Sequence, residues 1–275
     1  VLVRPGKAVE SFTVSDAALI FGDPTVDAVV ETLGGLDPAY SYGMRALEAG
    51  KHFITANKAM VAAHGLELAA LAREKGAAFL FSAACGGGVP FLHNLALSAE
   101  TDRIEAVSGI LNGTTNYMLD AMQRRGLSYG DALREAQSLG YAESDPTADV
   151  SGLDALRKMQ LACAVAFGVL PQSGMLCEGM EHFTAADVED IQSRGLVCRL
   201  LARGSRAGES VSAYVEPVLF PRAAPESSVF TNNNMARYTG KRCGSIVLMG
   251  QGAGRFPTAS AVLRDLSAAQ QGVQV

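Results

Sequence analysis

The chain has 275 residues, of which 48% are hydrophobic and 19% are charged. This composition supports a sizeable core in one large domain or two closely associated domains, and it argues against disorder. The formal net charge of −5 gives no electrostatic reason to expect a nucleic acid or an anionic membrane surface as a partner.

The sequence predicts neither a membrane span nor an export signal. No apolar run reaches the roughly 18–20 uncharged residues that a membrane helix needs, and the first residues lack the pattern of a signal peptide. The five cysteines are scattered and odd in number, and none forms a C-x-x-C pair. Reduced thiols in a cytoplasmic protein are the simplest interpretation.

The first ninety residues alternate between strand and helix patterns. Apolar or alternating runs at 26–35, 51–58 and 77–90 predict strands, and the spacing at 38–50 and 59–76 predicts helices that stop at glycines. Strands that alternate with crossover helices form a parallel sheet. The expected fold class is therefore α/β, with a doubly wound, Rossmann-type nucleotide-binding domain.

After residue 90 the regular alternation ends. A strand at 103–111 is followed by helical patterns, a buried helix of about 153–168 and an alternating strand at 210–220. The chain closes with a strand, a glycine loop and a helix. We therefore predict the first part of a nucleotide-binding domain at 1–90, an inserted α+β domain at 91–245, and a return to the nucleotide-binding domain at 246–275.

The segment "LGYAESDPTADVSGLDALRKM", residues 139–159, concentrates charge directly before the buried helix. Asp154 and Lys158 are four residues apart and share one helix face. A lysine in an otherwise apolar helix loses hydration, which is costly unless a carboxylate or a ligand pairs with it. This pattern predicts a functional site. The alternative is simple capping, in which Ser151 caps the helix and Asp154 only complements its positive end.

The loop "AESDPTAD" carries several carboxylates, which could hold a metal ion or an ammonium group. No histidine lies nearby and the EF-hand spacing is absent, which argues against a transition metal. Each acid taken singly could also be a solvated loop carboxylate.

Two further polar stretches stand where ligands bind in open sheets. Lys58 closes "FITANK" after a predicted strand, at the edge where parallel sheets bind ligands, although it could be a surface lysine that opens a helix. Residues 112–115, "NGTT", lie between a strand and a helix, so that free N–H groups could meet a ligand carboxylate or be capped in the ordinary way.

Taken together, these segments resemble the homoserine dehydrogenase family from about Val26 to Asp265. Residues 136–158, "AQSLGYAESDPTADVSGLDALRK", match the family signature without a gap. "ITANK", "GGGVP", "GILNGTTNY" and "GQGAGRFPTASAVLRDL" match its other blocks in order. The resemblance implies NAD(P)-dependent interconversion of L-homoserine and L-aspartate 4-semialdehyde in threonine and methionine biosynthesis. It also implies a cytoplasmic homodimer formed through the sheet of the inserted domain.

The resemblance assigns roles to residues by position. It implies that Lys58 and Lys158 are active-site lysines and that Asp154 is their acidic partner. A lysine can serve as acid or base if its pKa falls toward neutrality, but a nearby carboxylate opposes that change. We therefore expect Lys158 to act as a positioned donor that shares a proton relay with Lys58. The implied substrate-binding residues are Glu143, Asp149, Tyr141, Gly113 and Thr114.

The cofactor expectation rests on "VLVRPGK", which resembles the end of the second strand of the nucleotide-binding fold. Arg4 and Lys7 stand where an acid would bind the ribose of NAD, so NADP is expected and NAD remains possible. The alternative is two exposed bases after an edge strand. The other expected cofactor contacts are Gly34, Gly35, Asn57 and Gly252.

Two departures from the family pattern leave other interpretations open. No G-x-G-x-x-G follows a first strand, so a segment of roughly 30–50 residues is expected before Val1. Ser82 stands where the family usually has a glutamate at a monovalent-cation site, which leaves only the carbonyls of Cys85, Gly87 and Val89 as weak candidates. The alternatives are a dehydrogenase or reductoisomerase for another small substrate, and a degenerate, non-catalytic paralogue.

Overall fold

The computed structural model of the protein describes residues 1–4, 6–7, 10–172, 175–208 and 210–272. The contacts within it divide the chain into two compact units. Unit 1 contains residues 1–81 and 262–272, and unit 2 contains residues 82–261. The sequence-predicted domain boundaries after residues 90 and 245 remain a proposal about functional parts of the chain.

Unit 1 contains a parallel sheet with strand order β1-β2-β3. Its strands are β1 (Ala28–Glu31), β2 (His52–Thr55) and β3 (Phe79–Leu80). Its helices are α1 (Ala18–Phe21), α2 (Ala39–Glu48) and α3 (Lys58–Lys75). Because α2 and α3 cross over between parallel strands, the predicted α/β fold class is confirmed.

Close packing of α2 on the sheet depends on a glycine. A Cβ placed on Gly43 would lie 2.7 Å from the ring of Phe53, which is completely buried on β2. The ring of Phe53 stacks in turn on Phe79 of β3, with a centroid distance of 6.0 Å. The apolar core of unit 1 thus lies between the helices and its strands.

A cavity of about 900 Å³ runs along β1 in unit 1. In the described part of the chain, β1 pairs with β2 on one side only. The cavity lining combines apolar side chains of this strand with polar groups at its carboxyl end, Glu31 to Gly34, and with Arg4. An open strand edge beside an apolar cavity is a place where either a ligand or another chain segment can be accommodated.

Unit 2 is built on a six-stranded sheet with order β5-β7-β6-β4-β8-β9. The strands are β4 (Ile104–Ile110), β5 (Leu176–Cys177), β6 (Leu196–Ala207), β7 (Ser210–Pro221), β8 (Asn233–Gly240) and β9 (Gly244–Gln251). All neighbours pair antiparallel except β5 and β7. The hairpin of β6 and β7 is the longest ladder, and its register runs from Leu196↔Pro221 to Ala207↔Ser210.

The helices of unit 2 lie around this sheet. They are α4 (Phe91–Thr101), α5 (Gly113–Arg125), α6 (Tyr129–Ser138), α7 (Thr147–Val150), α8 (Leu153–Phe167) and α9 (Ala185–Ser193). The last helix, α10 (Arg255–Gln270), begins in unit 2 and ends in unit 1. None of the helices formed by the described residues combines the length and apolar character needed to cross a bilayer.

Helix α8 contacts β6 unusually closely. A Cβ on Gly204 would lie 2.3 Å from the Sγ atom of Cys163 and 3.2 Å from the Sδ atom of Met159. Glycine at this strand position therefore sets the depth at which α8 sits on the sheet. The opposite face of the sheet is buried around Ile110, Leu201 and Met235, which pack with Val229. Elsewhere it carries exposed or half-buried side chains, namely Tyr214, Arg203, Ser108, Arg237, Val247 and Met249.

Candidate active site

The candidate site is centred on an ion pair inside α8. Lys158 and Asp154 are 8% and 5% exposed, and the distance from Nζ of the lysine to Oδ2 of the aspartate is 2.7 Å. The ammonium group also donates to the carbonyl oxygen of Leu111, at 2.7 Å, just beyond the end of β4. The four-residue spacing seen in the sequence thus produces a buried lysine whose ammonium group donates to two acceptors.

Two opposing effects act on the pKa of this lysine. Burial lowers the pKa of Lys158, but attraction to Asp154 and the hydrogen bond to it outweigh that effect, with a smaller contribution from Asp149. The net pKa lies above the ordinary value, so the side chain carries its charge at neutral pH. This direction agrees with the expectation that the carboxylate opposes any lowering, and it favours a donor over a free base.

A second carboxylate joins the same cluster through α5. The side chain of Asn112 donates from Nδ2 to Oδ1 of Asp149, at 2.7 Å, and to Oδ2 of Asp154, at 3.0 Å. Thr114 Oγ1 lies 3.0 Å from Oδ2 of Asp149 and 2.6 Å from the carbonyl oxygen of Tyr141. A hydroxyl has one proton to donate, so it satisfies one of these two acceptors at a time.

The predicted cap by Ser151 is wrong, although Asp154 does lie in the first turn of α8. The N-cap of α8 is Gly152, in the left-handed conformation with φ of 83°, and no described side chain caps the helix. Ser151 instead ends α7, and its buried hydroxyl has no hydrogen-bond partner among the described residues. The sharp turn between the two helices requires glycine at the position that a serine cap would need. Asp154 is therefore accounted for by its contacts with Lys158 and Asn112.

Tyr141 and Glu143, the two remaining candidates of the acidic loop, make different contacts. Tyr141 contributes its carbonyl oxygen to Thr114, while its ring packs edge-on against Tyr117 with centroids 5.1 Å apart. Glu143 is exposed, and its backbone carbonyl accepts from Gln137 Nε2 at 3.1 Å. Among the described contacts, none brings the Glu143 carboxylate into the cluster, so its role remains a proposal.

The start of α5 is held by a loop that the sequence patterns do not connect with the site. A Cβ on Gly113 would lie 2.8 Å from the carbonyl oxygen of Asn232. Asn116 Nδ2 lies within hydrogen-bonding distance of the carbonyl oxygens of three residues in that region, Val229, Thr231 and Asn233. Asn116 is 1% exposed. The sequence "NGTTNY" contains a pattern that could have identified it, since Asn112 and Asn116 are four residues apart at the start of a largely buried helix.

The candidate residues of unit 1 lie around the start of α3. Asn57 caps this helix by accepting from the backbone N–H of Met60 at 3.1 Å, and its Nδ2 donates to the carbonyl oxygen of Gly35 at 2.6 Å. Lys58 is the first residue of the helix and is half-buried, while β2 ends earlier, at Thr55. The helix-opening position that was one interpretation of Lys58 is thus the observed one.

The proposed cofactor residues do not all lie together in unit 1. Arg4 and Gly34 line the cavity beside β1. Lys7 is exposed, and the carbonyl oxygen of Gly35 accepts from the side chain of Asn57. The cavity therefore brings together one base and one glycine of the expected set.

Gly252 belongs to unit 2 and lies against the buried amide of Asn234, where a Cβ would be 2.0 Å away. Its carbonyl oxygen would lie 2.5 Å from a Cβ on Gly87, and Gly88 donates its backbone N–H to Gln251. The two glycine loops of the sequence, 86–88 and 252–254, therefore contact each other.

The cation candidates supply only neutral donors. Ser82 is buried in a short 3₁₀ turn, Ser82–Ala84, and the thiol of Cys85 lies 3.6 Å from the carbonyl oxygen of Lys158. The carbonyl oxygen of Val89, one of the three candidates, already accepts from the backbone N–H of Phe91 at 2.7 Å. Within the described residues, no group of three or more His, Cys, Asp or Glu side chains is arranged to hold a metal ion.

Comparisons with known proteins identify the family of the chain. The family model described as homoserine dehydrogenase matches residues 90–267, and the model of the homoserine dehydrogenase NAD binding domain matches residues 7–82. A homoserine dehydrogenase of Corynebacterium glutamicum is 41% identical over 269 residues, covering 96% of this chain and 60% of the relative. One of Synechocystis is 40% identical over 257 residues, covering 92% and 59%.

Solved structures give the same result. A crystal structure of a homoserine dehydrogenase from Thiobacillus denitrificans matches with a TM-score of 0.88 and 38% identity, covering 94% of this chain and 60% of that one. A homoserine dehydrogenase of S. aureus matches with a TM-score of 0.83 and 31% identity, covering 98% and 66%. The chain thus spans about 60% of the length of the curated relatives given above. Within that span, both family models and the fold agree, and the chain belongs to the homoserine dehydrogenase family.

Proposed function

We propose that the protein catalyses the NAD(P)-dependent interconversion of L-homoserine and L-aspartate 4-semialdehyde, a step of threonine and methionine biosynthesis. The observation that carries the proposal is the buried lysine of unit 2, Lys158, bonded to Asp154 and to the carbonyl oxygen of Leu111. The family relationship supports the same reaction.

Lys158 suits the oxygen at which the reaction takes place. An ammonium group has three N–H donors, and the contacts described above use two of them. The third is proposed to donate to the hydroxyl oxygen of homoserine or to the carbonyl oxygen of the aldehyde. As the aldehyde is reduced, negative charge develops on that oxygen, and a fixed, charged donor in a dry site stabilises it strongly. Lys58 is proposed to share the proton transfer.

The acidic and helical parts of the cluster suit the amino-acid end of the substrate. Asp149 presents a carboxylate oxygen that shares the single proton of Thr114 with another acceptor, so it is suited to an ammonium group. Glu143 is proposed to assist it. Gly113 and Thr114 form the first turn of α5, whose backbone N–H groups suit a carboxylate.

The cofactor proposal rests on unit 1. The cavity along β1, with Arg4 at one part of its lining and Gly34 at the carboxyl end of the strand, fits part of a dinucleotide. A hyperthermophilic archaeal homoserine dehydrogenase mutant, 28% identical with a TM-score of 0.77, was solved in complex with NADPH. When bound, the nicotinamide supplies the hydride chemistry. Arg4 favours NADP, and Gly35 and Asn57 are proposed to contact the cofactor near α3.

The test of the proposal is Lys158→Ala. Because the variant loses the proposed donor to the reacting oxygen, turnover of homoserine with NADP is expected to fall by about 10²–10⁴-fold. Binding of NADPH, measured by fluorescence titration, should remain close to that of the parent. The matched control is Lys75→Ala, which removes a lysine paired with Glu74 at the exposed end of α3 and should leave the rate unchanged.

Three results would contradict the proposal. A Lys158→Ala variant that is folded and retains turnover within about tenfold of the parent would remove the lysine from the reaction. A parent protein that oxidises other small hydroxy compounds but not homoserine would favour a dehydrogenase with another substrate. A folded parent that binds NADPH but turns over none of them would favour a non-catalytic paralogue.

A homodimer formed through the open face of the sheet in unit 2 is part of the proposal. Val247 and Met249 of β9 are 40% and 46% exposed, beside a row of polar side chains on β4, β6 and β8. Apolar residues within a broad, mixed sheet face are typical of surfaces that associate with a second copy. A cytoplasmic location is also proposed, since all five cysteines, which lie in the described part of the chain, are reduced thiols.

A further inference from the structure

We infer that Asn112 is a positioning residue whose amide holds the carboxylates of Asp149 and Asp154 in their working arrangement beside Lys158. This inference rests on the proposed function. It concerns an asparagine whose amide N–H groups donate to the two acids, through which it acts on the lysine.

The hydrogen bonds of Asn112 fix the orientation of its amide. Oδ1 accepts from the backbone N–H of Thr115 at 2.9 Å, and Nδ2 donates to the two carboxylates at 2.7 and 3.0 Å. The flipped amide would turn an oxygen toward both acids, which is repulsive. The side chain is 4% exposed, so water cannot readily replace these bonds. Asn112 therefore combines a helix cap with a bridge between two acids.

The bridge matters because the acids lie on different elements. Asp149 is on α7 and Asp154 on α8, and the left-handed Gly152 turns the chain between them. Two carboxylates close together repel each other and raise the pKa of one of them unless a donor lies between. The amide supplies one N–H to each carboxylate, which offsets their mutual repulsion. Asp154 can then pair with Lys158 while Asp149 remains available to an ammonium group.

The charged and titratable groups that face this amide come from each element packed against it. They are Asp149 on α7 and Asp154 and Lys158 on α8, with Cys85 beside the lysine. The neighbouring groups on α5 are the hydroxyls of Thr114 and Thr115, which carry no charge. A change of charge at position 112 will therefore be felt by the two acids first and by the lysine through them.

The decisive variant is Asn112→Asp. It keeps the shape of the side chain and the oxygen that caps α5. However, it replaces the N–H donor by an oxygen and so places a third carboxylate beside those of Asp149 and Asp154. At pH 8 the turnover of homoserine is expected to fall about 10²-fold. Because three crowded carboxyls retain a shared proton, activity relative to the parent should recover as the pH falls toward about 5. A helix cap alone would give no such displacement of the pH profile.

A measurement without substrate separates the inference from the proposed function. The introduced carboxyl raises a folded-state pKa above its unfolded value, so the variant should lose stability relative to the parent as the pH rises from about 5 to 8. Urea unfolding across this range measures that difference. If the parent does not turn over homoserine, the proposed function fails, and the unfolding curves still decide whether the carboxylates are crowded around position 112.

Two further variants complete the test. Asn112→Ser retains a capping hydroxyl but cannot reach both acids, so its turnover should fall with no displacement of the pH profile. Ser128→Ala removes the cap of α6, which accepts from the N–H of Asp131 at 3.1 Å, and should leave turnover unchanged. Parallel pH profiles of Asn112→Asp and the parent, in both activity and unfolding, would overturn the inference. An Asn112→Ser variant that matched the parent in turnover would overturn it as well.

Discussion

At the scale of single residues, the cluster around Lys158 contains a buried charge that is tolerated because it is paired. Removing an ammonium group from water costs several kcal/mol, and its attraction to a carboxylate offsets that cost only where geometry and further hydrogen bonds are good. Lys158 meets both conditions through Asp154 and the carbonyl oxygen of Leu111. The pair therefore serves to hold a charged donor in place, and little net stability is expected from it.

Removing the charge of one member of the pair should destabilise the protein, because the other charge stays buried without a partner. Asp154→Asn is expected to lower the free energy of unfolding by about 3–5 kcal/mol, because the buried ammonium loses its counter-charge. In the parent the pKa of Lys158 lies above its ordinary value of 10.5, so the contribution of the pair is complete below that pH and is lost above it. In the variant burial lowers this pKa, and stability should instead rise as the pH increases from about 7 to 10. Chemical unfolding followed by circular dichroism over this range measures both effects.

The control is an exposed pair with the same spacing. Asp190 on α9 and Arg194, which caps the end of that helix, are four residues apart, with a 2.8 Å contact and more than half of each side chain exposed. Asp190→Asn should change the stability little at any pH, because water replaces the lost interaction. If Asp154→Asn gave a curve parallel to that of the parent, the lysine would not depend on the aspartate for its charge.

The sequence could predict this pair but not its surroundings. Asp154 and Lys158 share a helix face by spacing alone, which is local information. Asn112 reaches both acids only because the end of β4, α7 and α8 meet, and no local pattern contains that meeting. The capping prediction for Ser151 failed for a related reason, since the turn before α8 requires the backbone freedom of Gly152.

At the scale of elements, the site depends on how deeply α8 sits on the sheet. Gly204 of β6 has no side chain to hold Cys163 and Met159 away, so the helix approaches the strand closely. The first half of the same helix carries the proposed catalytic pair, Asp154 and Lys158, and Met159 directly follows the lysine. Since interiors are densely packed, a displacement at one end of a rigid helix is felt along its length.

Gly204→Ala should therefore lower the free energy of unfolding by about 1–3 kcal/mol through overpacking. Thermal and urea unfolding give the loss, and homoserine turnover should fall with it. In the double variant with Cys163→Ala the nearest obstacle is gone, so part of the loss should be regained. Gly130→Ala is the control, because the nearest atom to its Cβ is the flexible end of Arg134 at 3.4 Å. Additive losses in the double variant would mean that the thiol does not limit the approach.

The elements differ in how well their sequences predict them. The helices at 39–48 and 58–75 and the strand at 104–110 were expected because their periodicity and glycine ends are local. No strand was expected over 233–240, since "NNMARYTG" mixes small and polar residues. It becomes a strand because β4 and β9 pair with it on either side. The apolar pattern at 77–90 predicted a long strand, yet only Phe79–Leu80 pairs with β2 before the chain enters a 3₁₀ turn.

At the scale of the whole molecule, unit 2 combines a covered and an open sheet face. The face under α8 is buried, whereas the other is buried around Ile110, Leu201 and Met235 and presents Val247 and Met249 among polar side chains elsewhere. An interface that buries a total of about 1,200–2,000 Å² would be of standard size for a stable dimer. This open face is the basis of the proposed homodimer.

Met249→Lys tests that assembly. A charge at the middle of the proposed interface should shift the equilibrium toward the monomer by at least about tenfold, because an unpaired ammonium is costly to desolvate. Sedimentation velocity over a range of concentrations measures the shift. Leu97→Lys is the control, as it adds the same charge at a residue that is 42% exposed on α4. Identical sedimentation of Met249→Lys and the parent would place the interface elsewhere or exclude it.

The order of strands in unit 2 has a further consequence for how the protein fluctuates. Residues 202–205 of β6 are bonded to β4 on one side and to β7 on the other. Local opening begins where backbone amides have a neighbour on one side only, so β5 and β9 are expected to exchange their amide hydrogens with solvent long before the central pair does. The carbonyl oxygen that receives Lys158 follows β4 directly. The candidate site is thus attached to the part of the sheet that opens last. Its geometry is therefore expected to persist while the edge strands open locally.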